Sequence, residues 1–404
     1  MTEVETDAIW RVRPVDGSPL LPPTGTGDLT GLTVAVKDVF EVEGFAMGAG
    51  NPVWLAERAP ATRDSAAVAA LRAAGAAVAG IAHTDEFAYS IAGRNAHWGT
   101  PPNGAAPDRI PGGSTSGPTS AVAAGQADLG LGTDTAGSVR VPVSYQGLWG
   151  LRSTHGSTDA AGLLPLAPRF DAIGWVARDA ATLLAGAAAG LGASTRSLSE
   201  GRAAGATEPK RTFVIAPALT ATADPAVAAA VEAAVAAAVA AGRIRQPESI
   251  EVPAPADLFA GFRIPQAAEA WRSDGEWVTA HPGACAPDVA ARFEFAASVT
   301  PEQEADALAQ LARLRAELDR ALGDRILLLP SAPTVAPRLD DDAATLESVR
   351  VRTLSITAVA GITGRPALSV PVLVVDGLPV GMCLVGPRGS DLELIDLAAA
   401  VFAP

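Results

Sequence analysis

The chain has 404 residues, 49 % of them hydrophobic and 18 % charged, with a net charge of −14. That composition supports a large folded core and excludes a disordered or low-complexity chain. The acidic balance, with no Lys/Arg block anywhere, excludes a nucleic-acid surface and an anionic-membrane partner, since both require clustered cations.

Residues 1–30 are rich in Pro and Gly with little periodicity and read as an irregular leader. Their acidic start, MTEVETDAIW, lacks the apolar core of a secretory signal, so the expected location is cytoplasmic. The pattern then predicts a strand over 32–39, a helix over 64–74 with Asp64 near its N-cap, and a strand over 77–82. Residues 101–137 are dense in Gly, Ser, Thr and Pro, interrupted by a short helix over 120–124 and a strand over 129–131. A helix over 179–191 follows, then a polar surface excursion over 195–211 and a strand over 212–216. Helices are expected over 226–241 and 301–322. The first is Ala-rich but carries Glu232, which marks a packed helix rather than a membrane span. A buried strand over 326–329, a helix over 346–361, strands over 367–374 and 379–385 and a helix over 391–402 complete the chain. Helices alternating with apolar strands predict α/β architecture, and 1–404 reads as one domain.

Only two of the 30 basic residues are lysines, Lys37 and Lys210. Where arginine serves wherever a bare charge suffices, a retained lysine is a candidate for chemistry that requires losing a proton. Lys210 lies in the polar excursion and reads as an exposed charge. Lys37 lies in LTVAVKDVF, an apolar strand in which an ammonium must be paired or neutral. From this segment alone two readings stay open: a catalytic base, or a buried ion pair with Asp38 or Glu86.

Two Gly/Ser runs are the site candidates, PGGSTSG (111–117) and GTDTAGSVRVP (132–142). Glycines beside hydroxyls let backbone N–H groups converge on one point, as an oxyanion hole does. Neither run has the P-loop or dinucleotide pattern, and no G-x-S-x-G elbow occurs. Four histidines are present, and none stands in a setting that marks a general base or a metal ligand. Cys285 and Cys383 build neither a disulfide framework nor a four-ligand zinc site, so no metal site is expected. A serine hydrolase on this chain would need a base other than His, and Lys37 is the natural choice.

GTDTAGSVRVPVSYQGLWGLRSTHG resembles the signature of the amidase signature family, with PGGSTSG in place of its Gly/Ser run and VAVKD in place of its strand lysine. The likeness continues through ITAVAGITGRPALSVPV and LPVGMCLVGPRGSDLELIDLAAAV and covers nearly everything from Gly31. Within the family the chain is most similar to short plant-type amidases that hydrolyse indole-3-acetamide. The resemblance implies a large mixed central β-sheet with helices on both faces. It implies a Ser–Ser–Lys triad of Ser138 as nucleophile, Ser114 as relay after a cis peptide bond, and Lys37 as base. It further implies an oxyanion hole from the backbone amides of Thr135, Ala136, Gly137 and Ser138, with Asp134, Arg140 and Thr115 in support. The implied mechanism needs neither metal nor organic cofactor. A homodimer is the expectation from relatives.

Departures from the family pattern are Ala136 for a glycine, Thr115, Pro118 and Thr119 for small residues near Ser114, and Trp98, Gln146 and Trp149, which are expected to alter the pocket. The pocket itself is expected from 46–54, 169–175 and 256–292. The leading reading is hydrolysis of a small neutral aryl- or alkyl-acetamide to acid and ammonia. A urea-derived or carbamate substrate of the allophanate type is the alternative, suggested by TAGS and requiring a pocket arginine, Arg94 or Arg263. Two further readings are an ammonia-supplying amidotransferase subunit and a non-catalytic docking subunit, the latter disfavoured by the intact triad.

Overall fold

The computed structural model describes residues 7–193 and 211–402 and the backbone of Val4–Glu5; the expected excursion over 195–211, with Lys210, lies outside them except for Arg211. The strands are β1 (Val4–Glu5), β2 (Trp10–Pro14), β3 (Thr33–Lys37), β4 (Ala77–Ala82), β5 (Leu129–Thr133) and β6 (Trp149–Arg152). They continue with β7 (Ile173–Ala177), β8 (Phe213–Ile215), β9 (Glu248–Ser249), β10 (Ile326–Pro330), β11 (Ala367–Val375) and β12 (Leu378–Val385). All twelve join one sheet in the order β1-β2-β4-β3-β5-β7-β6-β11-β12-β10-β8-β9. Pairing is parallel for β3 with β4 and β5 and for β8 with β9 and β10, and antiparallel elsewhere.

The period of two along the central strands explains how both faces are covered. Val34 and Val36 of β3 join a core with Val68 and Leu71 of the helix Ala66–Ala73, Leu183 of the helix Ala180–Gly190 and Ala398 of the helix Asp391–Phe402. Ala35 points the other way, toward Ala121 and Val122 of α1 (Ser116–Ala123) and Val143 of α2 (Arg140–Gln146). Lys37, two residues after Ala35, lies on the α1/α2 face. Beyond the far half of the sheet lies a second helical layer: α3 (Pro255–Ala280), α4 (Pro287–Ala297), α5 (Pro301–Leu322) and α6 (Ala343–Thr363). It packs around Leu258, Phe262, Phe293, Leu318 and Ile356.

Elements with clean punctuation lie where the sequence places them. The strand 77–82 and the helices 301–322 and 391–402 match to the residue. Others need correction. The leader is not irregular throughout: β2 pairs with β4 and buries Trp10 fully. The helix expected from Asp64 is capped by Ser65, whose hydroxyl accepts from the Val68 N–H, while Asp64 accepts from the Glu43 N–H and pairs with Arg72. The short helix expected over 120–124 starts at Ser116, because its small residues let it lie buried against the sheet.

Candidate active site

The parallel alignment of β3 and β5 sets Val36 opposite Leu131, so the two strands end together at Lys37 and Thr133. Lys37 is fully buried, and its Nζ donates to Ser114 Oγ at 2.8 Å and to Thr133 Oγ1 at 2.7 Å. The ion-pair reading of Lys37 does not hold: Asp38 pairs with Arg11 at 2.6 Å, and Glu86 is held by Asn51 and His97. Burial lowers the Lys37 pKa to about 7, against the opposing pull of Asp85, Asp171 and Asp134. Near neutral pH this lysine can therefore accept a proton, which an exposed lysine cannot.

Ser114 stands two residues before α1, the Gly113–Ser114 peptide bond is cis, and the Ser114 carbonyl accepts from Thr84 Oγ1 at 2.9 Å. The next residue ties the two runs together: the Thr115 N–H donates to the Ser138 carbonyl at 3.1 Å, and Thr115 Oγ1 donates to the Thr133 carbonyl at 3.2 Å. At Gly132 a Cβ would collide with the Thr115 side chain, so that glycine lets β5 approach α1. Asp85, which the sequence did not single out, accepts from the Gly93 N–H and from Ser116 Oγ at 3.1 Å.

Ser138 lies in the loop between β5 and α2, buried but facing a small recess that it lines with Thr135, Ala136, Tyr89, Gln266 and Arg350. Asp134 anchors this loop. Its carboxylate accepts from Arg140 Nε at 3.0 Å and Nη2 at 2.8 Å, from Arg152 Nη1 at 3.2 Å, and from the amides of Gly137 and Val139. Burial alone would raise the Asp134 pKa, but Arg140 and Arg152 and these hydrogen bonds outweigh it and hold the carboxyl far below its ordinary range. Arg152, from β6, completes this network and was not foreseen.

One expected oxyanion donor needs correction. The Gly137 N–H donates to Asp134 Oδ1 at 2.9 Å, so it is committed to holding the loop. The amides of Thr135, Ala136 and Ser138 carry no such bond among the described residues. Gly137 is required for its conformation instead, since its φ is +115° and a Cβ would lie 3.0 Å from Thr357 Cγ2. Gly137→Ala is expected to destabilise the protein by about 1–3 kcal/mol, the cost of forcing a side chain into such a backbone conformation. A shift in the urea midpoint with unchanged slope would show it. Ala136, by contrast, is outside the left-handed region, so its Cβ does not strain the loop.

The histidines lie elsewhere: His97 against Glu86, His155 on the Pro168 carbonyl and His281 between Trp277 and Glu57. Burial lowers the His83 pKa to about 4, so it stays neutral, stacked on Trp98. Among the described residues no His/Cys/Asp/Glu group is arranged to hold a metal ion, and no helix is long and apolar enough to cross a membrane.

The recess adjoins a wider cavity of about 720 Å³ that shares Tyr89, Ser90, Ile91, Gln266 and Arg350 with it. Of the segments expected to build the pocket, only 256–292 contributes, through Arg263, Gln266, Asp288, Ala291 and Arg292. Residues 46–54 and 169–175 line neither space, which is walled instead by 89–96 and by α6. Trp98, Gln146 and Trp149 are also not among its walls; Gln146 instead braces the Pro111 carbonyl at 3.2 Å. Arg94 and Arg263 do line it.

A family model described as Amidase matches residues 4–395. The chain is 34 % identical to Amidase 1 of Arabidopsis thaliana, over 94 % of this chain and 96 % of that one. It is 35 % identical to Amidase 1 of Oryza sativa subsp. japonica, over 94 % and 92 %. Among solved structures, that of an amidase superposes with a TM-score of 0.81 at 29 % identity, covering 93 % of this chain and 84 % of its own. The chain belongs to the amidase signature family, hydrolases that act on amide C–N bonds.

Proposed function

We propose that the protein hydrolyses a small amide of the aryl- or alkyl-acetamide class to a carboxylic acid and ammonia through a Ser–Ser–Lys relay. Neutral Lys37 takes the proton of Ser114 Oγ, Ser114 takes that of Ser138 Oγ, and Ser138 attacks the amide carbonyl carbon. The amides of Thr135, Ala136 and Ser138 bind the developing oxyanion, each such donor being worth roughly 3–4 kcal/mol in comparable sites. Collapse of the tetrahedral intermediate breaks the C–N bond as Ser114 returns a proton to nitrogen, which leaves as ammonia. Water then adds to the acyl-Ser138 ester by the same relay, freeing the acid. No step in this scheme draws on a metal or an organic cofactor.

The observation that carries this reading is the 2.8 Å contact between a fully buried Lys37 and Ser114. A dry lysine with a pKa of about 7, bonded among the described residues to the hydroxyls of Ser114 and Thr133, is placed to exchange protons rather than to neutralise a carboxylate. The test is ammonia release from indole-3-acetamide, phenylacetamide, benzamide and allophanate, with hydroxylamine added to intercept the acyl-enzyme as a hydroxamate. Turnover of the arylacetamides with hydroxamate formation is expected. A preference for allophanate would transfer the assignment to urea-type substrates, and ammonia without any hydroxamate would overturn the acyl-enzyme.

A further inference from the structure

The cavity beside the nucleophile has a charge that runs against the rest of the chain. Four arginines line it, Arg94, Arg263, Arg292 and Arg350, against two carboxylates, Asp288 and Glu347, in a protein of net charge −14. The carboxylates do not cancel the arginines where a ligand would sit. Arg292 meets Asp288 at 2.8 Å and Arg350 meets Glu347 at 3.1 Å. Yet the acidic side chains are 63 % and 56 % exposed, while their partners are 19 % and 17 % exposed. The acids therefore face solvent at the rim, where ion pairs are screened and weak, and the guanidinium groups face inward.

Three of the arginines share the cavity wall with Tyr89. Arg263 is laid across the Phe295 ring at 3.8 Å, a stacking that leaves the edge of its planar fork available. Burial raises the Tyr89 pKa, and Arg350, Arg292 and Arg263 all oppose the rise. Burial first, and then the facing Arg292, disfavour the charge on Arg350. An anion set between them would relieve that repulsion. Arg350 also lines the recess of Ser138, so whatever it grips lies next to the reacting carbonyl.

We propose that the substrate's acyl portion carries a carboxylate, remote from the scissile amide, held by Arg350 with Arg292 and Arg263 in the cavity next to Ser138. The proposal rests on the hydrolytic reading for the bond cleaved but not for the anion bound. A guanidinium fork matches a carboxylate in geometry as well as charge, and a neutral analogue gives Arg350 no partner beyond Glu347 at the rim, a difference by which such sites discriminate.

The test compares two pairs of amides, 4-carboxyphenylacetamide with 4-methylphenylacetamide, and succinamate with butyramide. The wild type is expected to favour the carboxylate member of each pair by kcat/KM. Arg350→Gln is expected to shrink that preference by roughly 10- to 100-fold, the range for a lost hydrogen-bonded charge contact, mainly through KM, with Arg350→Lys restoring part of it. A wild type that prefers the neutral members, or a variant that slows both members equally, would overturn the proposal. If the folded wild type cleaves none of the four, the hydrolytic reading falls and calorimetric titration decides the anion site. Tighter binding of 4-carboxyphenylacetamide than of its methyl analogue, lost in Arg350→Gln, sustains it, and equal binding ends it.

Discussion

Lys37→Met is expected to lower kcat/KM by at least about 10³-fold, toward the upper end of what a positioned general base supplies, and Ser138→Ala by no less. The pH dependence distinguishes a base from a structural lysine. The relay needs the neutral amine, so wild-type kcat/KM should rise with pH and level off above about 7, the value to which burial brings Lys37. A profile that is flat across that range would remove Lys37 from the proton path. Stability gives an independent readout with the same sign. Because the folded-state pKa is lowered, the unfolded chain binds the extra proton between about 7 and the ordinary lysine value, and stability rises with pH through that window. Methionine carries no such burden. Melting curves should therefore show Lys37→Met gaining on the wild type as pH falls from about 10 to 7, while its activity is lost at every pH. Loss of activity accompanied by loss of stability at all pH values would point to a lysine that merely holds β3 in place.

What the sequence made legible was the part governed by short-range rules. Lys37 could be singled out because an apolar β-branched strand tolerates an ammonium only with a chemical reason, and the Gly/Ser runs because backbone convergence needs small residues. The helix 301–322 lies to the residue where the sequence places it, and the structure shows why its start is sharp: Pro301 stands behind a Thr300 capping box. The 26-residue α3 was missed because Gly261, Pro265 and Gly275 lie inside it and read as breaks. Close packing explains the glycines, since a Cβ at Gly261 would strike Leu314 of α5. Tertiary contacts thus override local propensity there. With α3 unseen, the cavity wall of Arg263 and Gln266 could be named only as a stretch of sequence. Thr133, Asp85 and Arg152 were missed for another reason. Each acts through a partner distant in the chain, 96 residues for Thr133 with Lys37, and no local pattern announces such pairs.

The largest expected stability loss comes from Asp134→Asn. Asp134, Arg140 and Arg152 are buried together, and one carboxylate serves both guanidinium groups and the Gly137 and Val139 amides. Asparagine keeps the shape but removes the charge, leaving two cations in the interior without a counter-ion. Breaking a buried charge network from one side costs about 3–5 kcal/mol, whereas removing an exposed pair such as Arg338 with Asp340 costs under about 1 kcal/mol. The sign with pH is fixed by the depressed pKa. The carboxylate's stabilisation is complete above the ordinary aspartate value near 4 and is lost as pH falls from there toward the lower folded value. Urea unfolding at pH 7 should therefore show the full deficit of the variant, and the deficit should narrow as the pH is taken below about 4. A deficit under about 1 kcal/mol at pH 7 would mean that solvent reaches the two arginines. Activity should fall as well, because the same carboxylate fixes the loop from which Ser138 and its neighbouring amides face the recess.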